Sequence, residues 1–244
     1  MKPLNPNQLP DWLKLAYFEI IQPKREIIQN HEFVQKMKLG EARKEDAKHY
    51  FAGLMWHLLD FGKHVSHLIQ KRPDEVDHFL KDRSEDTDGD TELLSRIVDA
   101  LGEDSNQICG SPWTYQPHPV WIQHDALLRS AIYSTDFSWK TGTAALTIGI
   151  ESLVPSMIEP LFQACIENYG VASHQAEWLE SRSGDEEKQH GENGFLILER
   201  FVDLNDQPQI DQCLFFIKAL SDSMAHRLLE SGLPQSPKNK AQVP

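Results

Sequence analysis

Apolar residues recur along most of the chain at steps of three, four or one. That spacing puts them on one stripe of a helix turning every 3.6 residues. The clearest run covers residues 43–71, where Ala47, Tyr50, Phe51, Leu54, Met55, Leu58, Val65, Leu68 and Ile69 share the stripe, and the pattern predicts one long helix there. Pro73 then opens a new element, because proline fits the first turn of a helix. Further helices are expected over 74–81, 93–101, 119–136, 174–180, 185–202 and 209–230, and residues 139–169 read as one long helix disturbed at Pro155 and Pro160. Gly102 sits where a helix would be capped. Residues 103–116 hold Gly110, Pro112, Trp113 and Tyr115 and read as a long loop anchored by its aromatics. Sustained two-residue alternation is absent, so no strands are expected. The reading is all-α: a bundle of eight to ten helices in a single domain over 1–232, followed by a polar, Pro-containing, disordered tail at 233–244.

Composition narrows the function. The chain has 244 residues, with 24 Lys and Arg against 37 Asp and Glu, a formal net charge of −13. Such a balance argues against a nucleic-acid or anionic-membrane surface, both of which need a positive patch. The longest apolar stretch, residues 144–154, is interrupted by Thr147 and Glu151 and falls short of the roughly 20 residues of a membrane span. The N-terminus has no apolar signal core, and three scattered cysteines make no disulfide framework. These features predict a cytoplasmic protein. Eleven His among so many carboxylates are the raw material of a metal site.

Four constellations could carry chemistry. Glu151 is the one charge in the apolar run of residues 144–154, so it must be paired, protonated, metal-bound or turned outward. Arg182, Glu186 and His190 are spaced by four and would lie on one helix face, the way bundle metal sites are built; the alternative is a solvated, acidic helix start. On the long helix His57, His64 and His67 form a stripe with Asp60. Such a stripe usually faces solvent, with His57, inside the apolar run, the one expected to point inward. His49, His118, His124, His174 and His226 are isolated and read as structural. The acidic run from Ser84 to Ser95 lacks the first and twelfth ligands of a calcium loop and reads as a helix boundary. No nucleophile elbow or phosphate loop is present, and Cys165 lies in an apolar segment that reads as core.

Several motifs carry a family resemblance. Asn30-His31-Glu32-Phe33-Val34-Gln35-Lys36-Met37-Lys38-Leu39-Gly40 resembles the opening segment of proteins with the heme-oxygenase-like fold, with Glu32 where Pro is usual. That group includes the TenA/THI-4 thiaminases, pyrroloquinoline-quinone synthase and the non-heme di-iron oxidases. The stretch from Phe79 through Leu101-Gly102, the Gly149-Ile150-Glu151 segment and Arg182-x-x-x-Glu186-x-x-x-His190 resemble, in order, the ligand helices of the iron-containing redox enzyme branch. The resemblance spans about residues 31–230. It implies a heme-oxygenase-like, TenA-like bundle with a central cavity. It also implies metal ligands at Glu85 (or Asp86), Asp90, Glu151, Glu186 (or Glu187) and His190.

The departures from the family pattern are informative. Asp90 and Arg182 stand where the family has His, so at most one of three imidazoles remains. An arginine can take a metal's place by pairing the leftover carboxylates, which predicts Arg182 bridging Glu151 and Glu186. Ser156 stands where the thiaminase branch carries its cysteine, so that nucleophile is missing. His31, with Gly142 and Gly149, would be the candidates for a heme site. Two readings result: an oxidase with an incomplete non-heme iron site, or a metal-independent protein binding a small molecule in the cavity through Arg182 and His57. A homodimer through the long helix is a further expectation.

Overall fold

The computed structural model describes residues 4–76, 89–110 and 115–231; the side chains at 75, 186, 187 and 229–231 lie outside that description. Glu85, the acidic run before Gly89 and the tail at 233–244 therefore fall outside it. Thirteen α-helices make up most of the described chain, and no strand occurs among the described residues.

The chain enters through α1 (Asp11–Leu15), a π-helical turn at Ala16–Ile21 and α2 (Gln22–Gln29). In α3 (Glu32–Leu39), His31 is the N-cap: its Nδ1 accepts from the Phe33 amide at 3.2 Å. Gly40 closes the helix at φ 70°, a left-handed cap that glycine adopts freely. His31 is thus engaged through Nδ1 as the helix cap.

The long helix expected over 43–71 is two helices, α4 (Lys44–Leu58) and α5 (Phe61–Lys71). The break at Leu59–Asp60 turns the second half, so His64, expected to face solvent, is fully buried. Next come α6 (Asp90–Ala100), α7 (Ser105–Cys109) and α8 (Pro119–Tyr133). The short α7 lies inside the segment read as a loop, capped by Asp104, whose side chain accepts from the Asn106 amide at 3.0 Å.

The predicted central helix is the most altered element. It runs as α9 (Trp139–Thr143), a π-helical turn (Ala144–Ile148), a 3-10 turn (Glu151–Leu153) and α10 (Val154–Asn168). The break over 149–153 directly precedes Pro155, which sits in the first turn of the restarted α10, whereas Pro160 lies within that helix without ending it. Hydroxyls also bond back to the helix along this stretch. Thr143 Oγ1 donates to the Trp139 carbonyl at 3.0 Å, Thr147 Oγ1 to Thr143 at 2.7 Å and Ser152 Oγ to Thr147 at 3.3 Å. Such bonds compete with the ladder and bend it. By length and composition the span Trp139–Asn168 could cross a membrane, which the count of uninterrupted apolar residues missed; 78% of its most apolar window is buried inside the fold, as in a core helix.

The chain closes with α11 (Glu177–Ser183), α12 (Asp185–Phe201) and α13 (Gln207–Ser231). α12 crosses the bent central segment at two glycines: a Cβ on Gly191 would meet Ser152 Oγ at 2.6 Å, and one on Gly194 would collide with the Thr147 side chain. α13 packs against α8 and the π turn, and α10 against α3 and α11. One contiguous apolar cluster, from Leu9 to Leu228, fills the interior.

Candidate functional site

A cavity of about 50 Å³ lies between α4, α6, α11, α13 and the bent central segment. Its apolar wall includes Leu54, Phe61, Ile150, Met157 and Trp178; its polar groups are His57, Asp90, Glu151, Arg182 and Arg227. Four of the residues singled out from sequence, His57, Asp90, Glu151 and Arg182, meet here.

Glu151 is 1% exposed. The π turn at Ala144–Ile148 shifts the helical phase before it, Glu151 itself opens the 3-10 turn, and Gly191 and Gly194 of α12 let the backbones come close. The expectation of an inward acid at this position holds for a reason that lies in the bend.

Asp90 is the first residue of α6, where the helix dipole favours a carboxylate. Its Oδ1 accepts from Trp178 Nε1 at 2.8 Å and from Arg182 Nη2 at 2.7 Å. Trp178 and Arg182 are four apart on α11 and so share a face. All three side chains are buried, and the charge-assisted bond is of the strong kind.

Arg182 does not share a helix face with Glu186 and His190. Gly184, extended at ψ 178°, separates α11 from α12, so the four-residue spacing is not continuous helix. His190 is only partly buried and is not part of the cavity wall. Asp90 is an observed partner of Arg182; the Glu186 side chain is outside the described residues.

The described donors do not fit a di-iron centre. The inner oxygen of Asp90 is committed to an indole N–H and a guanidinium, and a fixed positive charge repels a second cation. Among the described residues no group of three or more His, Cys, Asp or Glu is placed to hold a metal ion.

Behind His57 lies a second polar cluster that sequence reading did not assemble. Asp125 Oδ1 is 3.3 Å from His64 Nε2 and 3.7 Å from His57 Nδ1, and Asp125 Oδ2 accepts from Arg129 Nε at 2.5 Å. Arg129 Nη2 donates onward to Asp60 at 2.7 Å. His64 Nδ1 meets the Tyr133 hydroxyl at 2.9 Å, and His124 Nδ1 meets Ser223 Oγ at 3.0 Å. Burial opposes ionisation of Asp125, but its contacts with His57, His64 and Arg129 win and hold the carboxyl far below the usual range. Burial pushes His57 down to about 4 against the pull of Asp125, and pushes His124 well below its ordinary value.

Arg227 was also missed. It is 2% exposed, with its guanidinium 4.5 Å from the centre of the Trp121 ring, and burial lowers it to about 10. Its signal was there to read: a lone cation between Met224 and Leu228 on an apolar face, the mirror image of Glu151. Asp125 and Trp178 had no comparable signal, since each gains its role only from a partner on another helix.

No family model matches this sequence, and no curated protein matches it. Solved structures do. A TenA homologue from Pseudomonas syringae pv. tomato DC3000 superposes with a TM-score of 0.80 at 12% identity, covering 93% of this chain and 95% of its own. A domain of unknown function with a heme oxygenase-like fold, from Shewanella denitrificans OS217, gives 0.71 at 15% identity, covering 91% of this chain and 92% of its own. A TenA family transcription regulator from Silicibacter sp. TM1040 gives 0.69 at 16% identity, covering 93% of this chain and 98% of its own. Likeness at such identities speaks for the backbone alone. With the all-helical order described above, it establishes that this chain has the heme-oxygenase-like, all-α fold of the TenA homologues.

Proposed function

We infer that the chain is a metal-independent protein that holds a small organic molecule in the cavity beside Glu151. The observation that carries this reading is the ion pair of Asp90 and Arg182 on the cavity wall. A guanidinium bonded to the carboxylate performs the charge balance that a metal would otherwise supply. The remaining wall is largely apolar, with a few convergent polar groups, the usual make-up of a ligand site. The space, about 50 Å³, admits only a few water-sized volumes, so a larger ligand enters by displacing flexible wall side chains such as Met157.

The oxidase reading makes Asp90, Glu151 and His190, with Glu85 and Glu186, the ligands of iron. One experiment separates the two. The full chain is produced in iron-supplemented culture, purified anaerobically and analysed for metal. The metal-independent reading expects iron far below one per chain, unchanged in Glu151→Ala. One or two irons per chain, lost in Glu151→Ala, would overturn it and favour the oxidase.

A further inference from the structure

His57 stands between two spaces. It lines the cavity beside Glu151, and it also lines a second cleft with Asp125, Arg129 and Asp60. Asp125 belongs only to the second. The ring is 2% exposed, and neither nitrogen makes a hydrogen bond. A buried polar atom without a partner costs stability, and such atoms are rare in folded proteins. The Nδ1 edge faces Asp125 at 3.7 Å. The two nitrogens of an imidazole point away from each other, so Nε2 faces away from Asp125. The ring's aromatic neighbours are Phe61 at 5.7 Å, Trp121 at 6.3 Å and His124 at 5.0 Å between ring centres, and the Arg227 guanidinium on the same cavity wall acts on it electrostatically.

We propose that His57 Nε2 is a fixed hydrogen-bond acceptor in the cavity wall and selects ligands that present an N–H or O–H beside an apolar body. The deduction rests on the cavity being a small-molecule site. A carboxylate facing Nδ1 keeps the proton on Nδ1, because the N–H then points at negative charge. Nε2 is left with its lone pair. A ligand donor satisfies it, whereas a ligand lacking one leaves it orphaned in the complex. The discrimination comes from the penalty of leaving a buried polar atom unpaired. Asp125 is a positioning residue here, itself oriented by Arg129 and His64.

Pyrrole and furan are five-membered rings of nearly one size, and only pyrrole carries an N–H. The full chain, labelled with ¹⁵N at His and Trp, is titrated with each. The Trp178 indole signal reports entry into the cavity, and the His57 ring nitrogens report the tautomer. Expected are a free protein with His57 protonated at Nδ1 and bare at Nε2, and a preference for pyrrole of roughly tenfold, the worth of one buried hydrogen bond. The Nε2 signal moves with pyrrole and not with furan. In Asp125→Asn the Nδ1 tautomer loses its hold and the preference shrinks; in His57→Phe it disappears. A free protein with the proton on Nε2 overturns the proposal without needing any variant to fold. Equal binding of the two rings overturns it too, while leaving the cavity a ligand site. If neither ring moves Trp178, both the proposal and the ligand-site reading fall.

Discussion

Arg182 reaches Asp90 across 92 positions of sequence, Nη2 to Oδ1 at 2.7 Å, and does so on the wall of the cavity that holds Glu151. The pair joins the N-terminus of α6 to the face of α11, with Trp178 Nε1 as second donor to the same oxygen. Charge balance at this point comes from within the protein.

Breaking that pair is costly because it strands a buried charge. Arg182→Met leaves the Asp90 carboxylate with the indole alone and is expected to lower unfolding stability by about 3 kcal/mol. Asp90→Asn combined with Arg182→Met removes both charges and should recover most of the loss. Urea unfolding of the two variants beside the parent measures both.

His57 gives stability a pH dependence of definite sign. Its folded value of about 4 lies below the ordinary 6.5, so between those values the unfolded chain binds the extra proton. Stability then falls as pH drops through that window. On moving from pH 7 to pH 5 the parent should lose about 2 kcal/mol that His57→Phe does not lose, read as the difference between two denaturation series.

Asp125 acts with the same sign at lower pH, through its charged rather than its neutral form. Its folded value is depressed, so its contribution is fully present above the unfolded carboxyl range, near 4, and is lost as pH falls below that range toward the folded value. Asp125→Asn is expected to be less stable than the parent at pH 7, with the gap narrowing steadily below pH 4. Thermal unfolding across that range tests the slope.

The bend that presents Glu151 depends on glycine in the crossing helix. A Cβ at Gly194 would fall on the Thr147 side chain, so Gly194→Ala should cost about 1–3 kcal/mol, the usual range for overpacking. At Gly184 a Cβ would meet nothing nearer than the Ser181 carbonyl at 3.6 Å, and φ there is −77°. Gly184→Ala should leave the melting temperature nearly unchanged, which makes it the matched control.

Much of the helical framework was readable from periodicity alone, because an apolar stripe repeats wherever a helix buries one face. Breaks were harder. The stripe over residues 43–71 continues through Leu58 and Val65, and nothing in its spacing announces the turn at Leu59–Asp60 that buries His64. The central helix was expected to yield at Pro155 and Pro160; it breaks directly before Pro155 and runs through Pro160, and the hydroxyls of Thr143, Thr147 and Ser152, which bond to backbone carbonyls along the bent stretch, gave no such signal. The four-residue spacing of Arg182, Glu186 and His190 looked like one helix face, and an extended Gly184 divides it.

By itself the sequence determined that the chain folds as helices around one core and that Glu151, a lone charge in an apolar run, must be paired, protonated, metal-bound or turned outward. Periodicity and desolvation are properties of a segment, and a segment carries them in its own residues. Tertiary structure decided which groups meet Glu151 at the cavity wall: Asp90 held by Arg182 and Trp178, and His57 backed by Asp125. Those pairings join helices far apart in sequence, and their energies exist only after packing has excluded water and set the distances between charges.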